Sequence, residues 1–187
     1  MTSYKLIESL ELNPVIAAVH DGDFEAALAS PAEVIFYLKA SLLTVRERVL
    51  AAHGAEKIIL VHIDLAEGVG KDRAGVAFLA ECGVDGIIST RTQLSRYAKD
   101  LGLVAVQRFF TLDSQGMESI EETLENPACD LIELMPGVIG KTVARFAKGR
   151  IPVIAGGLIE TKAEVTAALH SGALAVSTGN RALWYIE

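Results

Sequence analysis

Two short segments near the end of the chain have the composition of a phosphate-binding site. One is Gly156-Gly157 in the run PVIAGGLIE, and the other is Ser177-Thr178-Gly179-Asn180 in the run ALAVSTGN. Each apolar run stops at glycine or hydroxyl residues before a helix-like segment, whose free backbone N–H groups attract an anion. The loops after the seventh and eighth strands of a barrel commonly form such a site. The groups predicted to hold the phosphate are the N–H groups of Gly156, Gly157, Gly179 and Asn180, and a hydroxyl of Ser177 or Thr178.

Polar or charged residues also stand at the end of nearly every other predicted strand. In a barrel these strand ends face the ligand, whereas polar residues at the opposite end serve stability. His62 and Asp64 are two residues apart, which places both side chains on one face of a strand. The predicted ligand-binding residues at these strand ends are Lys39, His62, Asp64, Glu67, Ser89, Arg91, Arg108, Asp113, Glu133 and Gly137.

Glu133 interrupts the apolar run LIELM and is therefore expected to be buried. A buried carboxylate needs a partner, or else it takes up a proton. Lys39, Arg91 or Arg108 could supply that partner, and the sequence does not choose among them.

Several of these residues also have a purely structural interpretation. His62 could be a histidine of the barrel core, and Asp64 with Glu67-Gly68 could cap the following helix. Asp113 precedes Ser114 and a helical segment, a pattern typical of a helix N-cap. Gly156-Gly157 could form only a tight turn, although its place at the end of the penultimate strand favours a ligand role.

Apolar, β-branched runs alternate with helical segments along the whole chain, which is typical of a parallel α/β protein. Strands are predicted at 14–19, 33–38, 57–65, 86–90, 104–110, 131–135, 152–156 and 174–178. Helices are predicted at 43–54, 72–82, 91–101, 115–126, 138–148 and 160–171.

Eight strands in this order predict one domain over residues 1–187, a compact TIM-like (β/α)8 barrel. An open doubly wound sheet is the alternative. The first crossover has room for only a short helix, and the last helix is truncated to RALWYIE. We expect this truncation to leave apolar surface near Leu183, Trp184 and Ile186. Either the segment 3–12 or a second copy of the chain would cover it, so a homodimer is possible.

Composition narrows the classes of function. The formal net charge of −7 argues against a broad electrostatic grip on nucleic acid, although a local basic patch stays possible. No apolar run is long enough for a membrane span, and the N-terminal segment does not have the layout of a signal peptide. Two cysteines do not make a disulfide framework, which fits a reduced, cytoplasmic protein.

Motifs of several enzyme classes do not occur in the sequence. There is no GxxxxGK[ST], HExxH, CxxC or GxSxG pattern. Asp64 and Glu67 have no specific metal-ligand spacing, and only Lys39 stands near a strand end where a Schiff-base lysine would be needed. We therefore assign no catalytic residue, metal or cofactor. An isomerase or aldolase acting on a small sugar phosphate remains the rival hypothesis, with His62, Asp64 and Glu133 as acid or base.

Six stretches together resemble the glycerol-3-phosphate-responsive antiterminator family, the glycerol uptake operon antiterminator regulatory proteins. They occur in the order HIDLAEG (62–68), GIISTR (86–91), QRFFTLDS (107–114), IELMPG (132–137), IAGGLI (154–159) and AVSTGNRALW (175–184). The resemblance implies a bacterial cytoplasmic regulator with a TIM-like barrel. It implies binding of glycerol 3-phosphate and action on the leader mRNA of glycerol genes, where the protein prevents premature termination of transcription.

The resemblance also guides the assignment of contacts. The glycerol hydroxyls would meet Asp64 and Glu133, with Lys39 or Arg108 nearby. Candidates for RNA contacts are the cations Lys71, Arg73, Arg91 and Arg96.

Two positions depart from the family pattern. Arg91 stands where the family typically has lysine, which replaces a point donor by a bidentate fork. The segment STGN stands where STS-like sequences are usual. These departures keep open a sensor of another phosphorylated metabolite.

Overall fold

Eight parallel strands close into a barrel in the computed structural model, which describes residues 2–111 and 113–186. Each strand pairs with the next, and β8 pairs with β1 through Val15↔Val176 and Ala17↔Thr178. The strands are β1 Val15–Val19, β2 Val34–Tyr37, β3 Ile58–His62, β4 Gly86–Ser89, β5 Val104–Phe110, β6 Leu131–Met135, β7 Val153–Gly156 and β8 Ala175–Thr178. The predicted TIM-like barrel is confirmed.

Helices cover the outside of the barrel between successive strands. They are α1 Ser3–Leu12, α2 Phe24–Ala29, α3 Val45–Gly54, α4 Arg73–Cys82, α5 Thr92–Asp100, α6 Ser114–Glu125, α7 Gly140–Phe146 and α8 Lys162–His170. The first crossover is short, as predicted, because α2 has 6 residues. The last helix is reduced to a 3₁₀ turn at Arg181–Tyr185, also as predicted. No helix among the described residues is both long and apolar enough to cross a membrane.

The barrel has two apolar layers, because its strands are buried on both faces. Residues such as Phe36, Leu60 and Val106 point into the barrel and form one cluster with their neighbours. Residues such as Val61 and Leu134 point outward and pack against the helices. The strand ends on the carboxyl side are thereby held rigidly around one mouth.

Helix α1 closes the opposite end of the barrel. Its Leu6 and Leu10 are fully buried and belong to the inner apolar cluster. Its Ser9 hydroxyl donates a hydrogen bond to Glu33, which stands just before β2. The expectation that the segment 3–12 covers the end of the chain is therefore wrong.

Two of the apolar side chains near the end of the chain are buried, whereas Ile186 is half-buried. Leu183 is 5% exposed and Trp184 is 1% exposed, and the Trp184 Nε1–H donates to the Thr178 carbonyl over 2.9 Å. The expected apolar surface at Leu183 and Trp184 is therefore absent from this described segment. Leu183 and Trp184 therefore need no second copy of the chain to cover them, and the homodimer stays a prediction.

Candidate functional site

A cavity of about 710 Å³ opens at the carboxyl ends of the strands. This is the mouth of the barrel, where enzymes and binding proteins of this fold place their ligands. Its lining residues are Ala18, His20, Asp23, Leu38, Arg108, Glu133, Met135, Gly157, Leu158, Ile159, Glu160, Thr161, Ser177, Thr178, Gly179 and Asn180. Both glycine-containing segments singled out in the sequence contribute to this wall.

The floor of the cavity is a buried ion pair. Arg108 Nε donates to Glu133 Oε2 over 2.6 Å, and the two residues are 8% and 0% exposed. The Ser177 hydroxyl donates to the other oxygen, Glu133 Oε1, over 2.5 Å. The register of the sheet creates this contact, because Arg108 on β5 stands directly beside Glu133 on β6. Glu133 is buried and paired as expected, and its partner is Arg108.

Gly156 is required by this floor. It stands beside Ser177 in the sheet, and a Cβ atom here would overlap both Glu133 Oε1 and Ser177 Oγ. A larger residue would therefore push the carboxylate out of its pairing with Arg108. Gly156 makes room for the ion pair, which is a different role from the phosphate contact predicted for it.

The rim of the cavity offers backbone donors. Gly157 has a φ of +75°, which favours glycine, and it turns the chain away from β7. Within the described part of the chain, no hydrogen-bond acceptor is found for the N–H of Gly157 or of Gly179. Both glycines line the cavity. These two N–H groups are the part of the predicted cradle that is available to a ligand.

The other predicted phosphate donors already have partners. The Thr178 hydroxyl donates to the Ile159 carbonyl over 2.8 Å and accepts the Asn180 N–H over 3.1 Å. The Ser177 hydroxyl is used by Glu133, as described above. These internal bonds shape the loop, and a ligand would have to replace them to use the same donors.

The start of α8 is occupied as well. The Glu164 carboxylate accepts the N–H groups of Glu160 and Thr161, each over 2.9 Å, in a capping box. These bonds hold the pKa of Glu164 below its usual value. The N–H groups of Glu160, Thr161 and Glu164 at the start of α8 are therefore already used, and a contact between this helix start and an anion stays a prediction.

His62, Asp64 and Arg91 form a separate group beside the cavity. Strand β3 ends at His62, three residues earlier than predicted, and Asp64 lies in a 3₁₀ turn at Ile63–Leu65. Asp64 Oδ2 accepts the Thr90 N–H over 2.7 Å, and Arg91 Nε lies 3.5 Å from Asp64 Oδ1. Asp64 thus joins the loops after β3 and β4, which is a structural use of its carboxylate.

His62 is the unusual member of this group. It is 3% exposed, and neither ring nitrogen has a hydrogen-bond partner among the described residues, although Nε2 lies 3.8 Å from Asp64 Oδ2. Burial lowers the pKa of His62 to about 4, and the positive charge of Arg108 adds to this effect. The ring is therefore neutral at pH 7.

The remaining predicted site residues lie outside the cavity wall. Lys39 pairs with Glu67 over 2.8 Å on the exposed surface, and this bond raises the pKa of Lys39. Ser89 accepts the Arg91 N–H over 3.0 Å, and Asp113 caps α6 by accepting the Gly116 N–H over 2.7 Å. The Gly137 N–H donates to the Gly156 carbonyl over 2.6 Å. A ligand role for these residues stays a prediction.

Part of the cavity wall consists of residues that were not predicted from the sequence. The missed residues are Ala18, His20, Asp23, Leu38, Met135, Leu158, Ile159, Glu160 and Thr161. Asp23 was missed because its importance comes from Arg181, with which it forms an ion pair across the closure of the barrel. Residues 158–161 line the cavity because the chain turns at Gly157, whose positive φ the sequence signals only through its glycine.

Comparisons with known proteins support the barrel fold described above. The family model for glycerol-3-phosphate responsive antiterminators matches residues 15–184. The Escherichia coli protein YgcP, described as uncharacterized, is 32% identical over 182 residues, which is 96% of this chain and 95% of that protein.

Two solved structures are similar to this chain in both sequence and fold. One is the glycerol uptake operon antiterminator regulatory protein of Listeria monocytogenes. It is 36% identical with a TM-score of 0.87, over 92% of this chain and 95% of that one. The other, a glycerol uptake operon antiterminator-related protein of Thermotoga maritima, is 31% identical with a TM-score of 0.80, over 91% and 96%.

Enzymes with the same barrel are much more distant. The deoxyribose phosphate aldolase of Aeropyrum pernix has a TM-score of 0.69 at 12% identity, over 97% of this chain and 96% of that one. A likeness at this level of identity shows the fold alone.

Proposed function

This chain belongs to the glycerol-3-phosphate responsive antiterminator family, and from that membership we propose a specific regulatory role. It binds glycerol 3-phosphate in the mouth of its barrel and, in the liganded state, acts on the leader mRNA of glycerol-utilisation genes in the cytoplasm. In this role the barrel is a sensor: it binds the ligand and does not convert it into a product.

One observation carries the ligand part of the proposal. The cavity joins two backbone donors at its rim, Gly157 and Gly179, to the guanidinium of Arg108 at its floor. A small phosphate ester has an anionic end for the N–H groups and a polar end for the floor. The rim also contains Asp23 and Glu160, but Asp23 is neutralised by Arg181. The phosphate is therefore held by placed donors rather than by a net positive surface.

Calorimetric titration with glycerol 3-phosphate tests this assignment. Saturable binding is expected in the wild-type protein and is lost in Gly157→Asp, which places a side chain and a negative charge at the rim. Gly102→Asp is the matched control. Gly102 also has a φ of +75°, but it lies in the loop before β5, at the far end of the barrel. A side chain at this position would have open space around its Cβ atom, with no other atom within 4 Å. Undetectable binding at millimolar ligand, or equal affinity in Gly157→Asp and wild type, would contradict the proposal.

The RNA part of the proposal depends on a small group of cations on or just before helices α4 and α5. Arg91 stands at the start of α5 with its side chain 58% exposed, and Arg73 at the start of α4 lies 5.6 Å over the ring of Tyr97. Tyr97 is half-buried and packs against the core, so its contact holds the Arg73 guanidinium in place, where it offers charge to a phosphate. Lys71 and Arg96 are the further candidates.

A gel-shift series with leader RNA, with and without glycerol 3-phosphate, tests the coupling. The ligand must favour the RNA-competent state by differential affinity, so the shift should strengthen when ligand is added. Arg73→Ala should weaken it, whereas Arg150→Ala, an exposed arginine after α7 at the far end of the barrel, should not. If no ligand-dependent shift occurs at any salt concentration, the protein is a phosphate binder without this RNA function.

The enzyme alternative is favoured by one feature, the unpartnered His62 ring beside Asp64. A Schiff-base mechanism is disfavoured at Lys39, whose pKa is raised by Glu67. Burial lowers the pKa of Lys71, but its ammonium group is held by the Ala66 carbonyl. Turnover of triose or pentose phosphates that disappears in Glu133→Gln would favour the enzyme over the sensor.

A further inference from the structure

The floor of the cavity holds one positive and one negative charge in direct contact. Arg108 and Glu133 are both buried and are joined by a 2.6 Å hydrogen bond, so the pair adds no net charge to the cavity. The nearby His62 is neutral at pH 7 and does not change this balance. A ligand that reaches the floor therefore meets strong donors in a region without net positive charge.

The donors that remain available belong to Arg108. Both oxygens of Glu133 are occupied, one by Arg108 Nε and the other by the Ser177 hydroxyl. No acceptor for the Nη1 or Nη2 atoms of Arg108 lies among the described residues, and Arg108 lines the cavity. A neutral hydroxyl oxygen satisfies such a donor. A carboxylate would also gain from Arg108, but it would lose its water and face the buried charge of Glu133.

We infer that the Arg108–Glu133 pair determines specificity: it selects a phosphorylated polyol, whose far end is uncharged, over a phosphorylated acid of the same length. The inference rests on the proposed function, because it assigns the phosphate to the rim and the alcohol to the floor. Arg108 contacts the ligand. Glu133, which is 0% exposed, is a positioning residue that cancels the charge of Arg108 and fixes its orientation.

The wild-type protein tests the inference without any substitution. Calorimetry compares glycerol 3-phosphate with 3-phosphoglycerate, which differ only by a terminal hydroxymethyl or carboxylate group, and uses inorganic phosphate as the reference. We expect glycerol 3-phosphate to bind at least about tenfold more tightly, which is the scale of one uncompensated polar contact. Equal binding, or tighter binding of 3-phosphoglycerate, overturns the inference.

Glu133→Gln tests the mechanism of the selection. The amide keeps the shape of the side chain and can accept from Arg108, but it leaves the guanidinium charge uncompensated. The affinity ratio should move by about tenfold or more towards 3-phosphoglycerate. Glu121→Gln is the matched control, because it also removes a carboxylate from an arginine, Arg145, on the exposed outer helices. An unchanged ratio in folded Glu133→Gln, or the same change in Glu121→Gln, overturns the inference.

Ser177→Ala provides a second variant in case Glu133→Gln does not fold. It removes a donor to Glu133 without changing any charge, so both affinities should fall because Glu133 is held less firmly, whereas their ratio should still favour glycerol 3-phosphate; loss of that preference overturns the inference. Titration with inorganic phosphate distinguishes a failure of the proposed function from a failure of this inference alone. If none of the three ligands binds the wild-type protein, the proposed function fails and this inference with it. If all bind alike, only the inference fails.

Discussion

At the scale of residues, protonation of the buried His62 makes the stability of the protein depend on pH. Its pKa is about 4 in the folded protein and about 6.5 in an unfolded chain, so the unfolded state binds more protons between these values. Protonation therefore favours unfolding in this window. The stability associated with the neutral ring is fully present above pH 6.5 and is lost as the pH falls towards 4.

We predict that His62→Gln removes this part of the acid sensitivity. In the wild-type protein, acidification from pH 7 to pH 4 should cost at most about 3 kcal/mol through this residue. Urea unfolding at a series of pH values measures the effect. His170→Gln, which replaces an exposed histidine at the end of α8, should keep the wild-type profile. Parallel pH profiles for wild type and His62→Gln would show that His62 does not cause the loss.

The residues of the site could be predicted from the sequence only in part. Glu133 interrupts an apolar run, so its burial and its need for a cationic partner were predictable. The choice of Arg108 was not, because it depends on the stagger between β5 and β6. The orientation of Ser89 depends on the fold in a related way: it follows Ile88, which points into the barrel, and so its own side chain points outward, and a ligand role for it stays a prediction. Only the three-dimensional register decides which face a strand-end residue takes.

At the scale of elements, α1 functions as a plug for the lower end of the barrel. Leu6 and Leu10 stand four residues apart, so both project from one side of the helix into the inner apolar cluster. Exposed residues such as Leu12 occupy the other side. The cavity lies at the opposite end, so the plug supports stability without contacting the ligand.

Leu6→Ala should lower the free energy of unfolding by about 2–5 kcal/mol, because it leaves a hole in a closed core. Leu12→Ala, at a residue that is 79% exposed, should change it by less than about 0.5 kcal/mol. Thermal or urea unfolding measures both variants. The affinity for glycerol 3-phosphate should be the same in wild type and folded Leu6→Ala. A loss of affinity would mean that the plug communicates with the mouth.

The strands and most helices were predictable because each has a clear apolar run or a clear start. Capping residues such as Asp113 and Thr161 mark helix starts in the sequence and act as caps in the structure. The packing of α1 was not predictable, since an amphipathic segment at the end of a chain can cover any exposed apolar surface. Helix α1 packs against the inner apolar cluster because it lies next to the lower rim of the barrel in the folded protein.

At the scale of the whole molecule, charge limits how the protein can hold RNA. The net charge of −7 repels a polyanion at long range, so attraction depends on the local group of Lys71, Arg73, Arg91 and Arg96. The acidic face of α6, which carries Glu118, Glu121, Glu122 and Glu125, offers no such contact. RNA binding should therefore be confined to the sector of the molecule around α4 and α5, where these four cations lie.

The salt dependence of RNA binding measures the number of contacts. With four candidate cations, the slope of log K against log salt should be no steeper than about −4. Titrations of leader RNA over a series of potassium chloride concentrations, at saturating glycerol 3-phosphate, give this slope. A much steeper slope would indicate a wider basic surface than these four residues provide. Arg91→Ala should make the slope shallower by about one unit.

The closure of the barrel between its first and last strands has a consequence for synthesis of the protein. Residues 15–17 pair with residues 176–178, so the sheet closes only when nearly the whole chain has left the ribosome. The rim glycines, Gly157 and Gly179, also belong to this last part. A nascent or prematurely ended chain therefore lacks both its final hydrogen-bonded seam and its ligand cradle. Under the proposed function, synthesis of the barrel must therefore be nearly finished before the chain can respond to glycerol 3-phosphate.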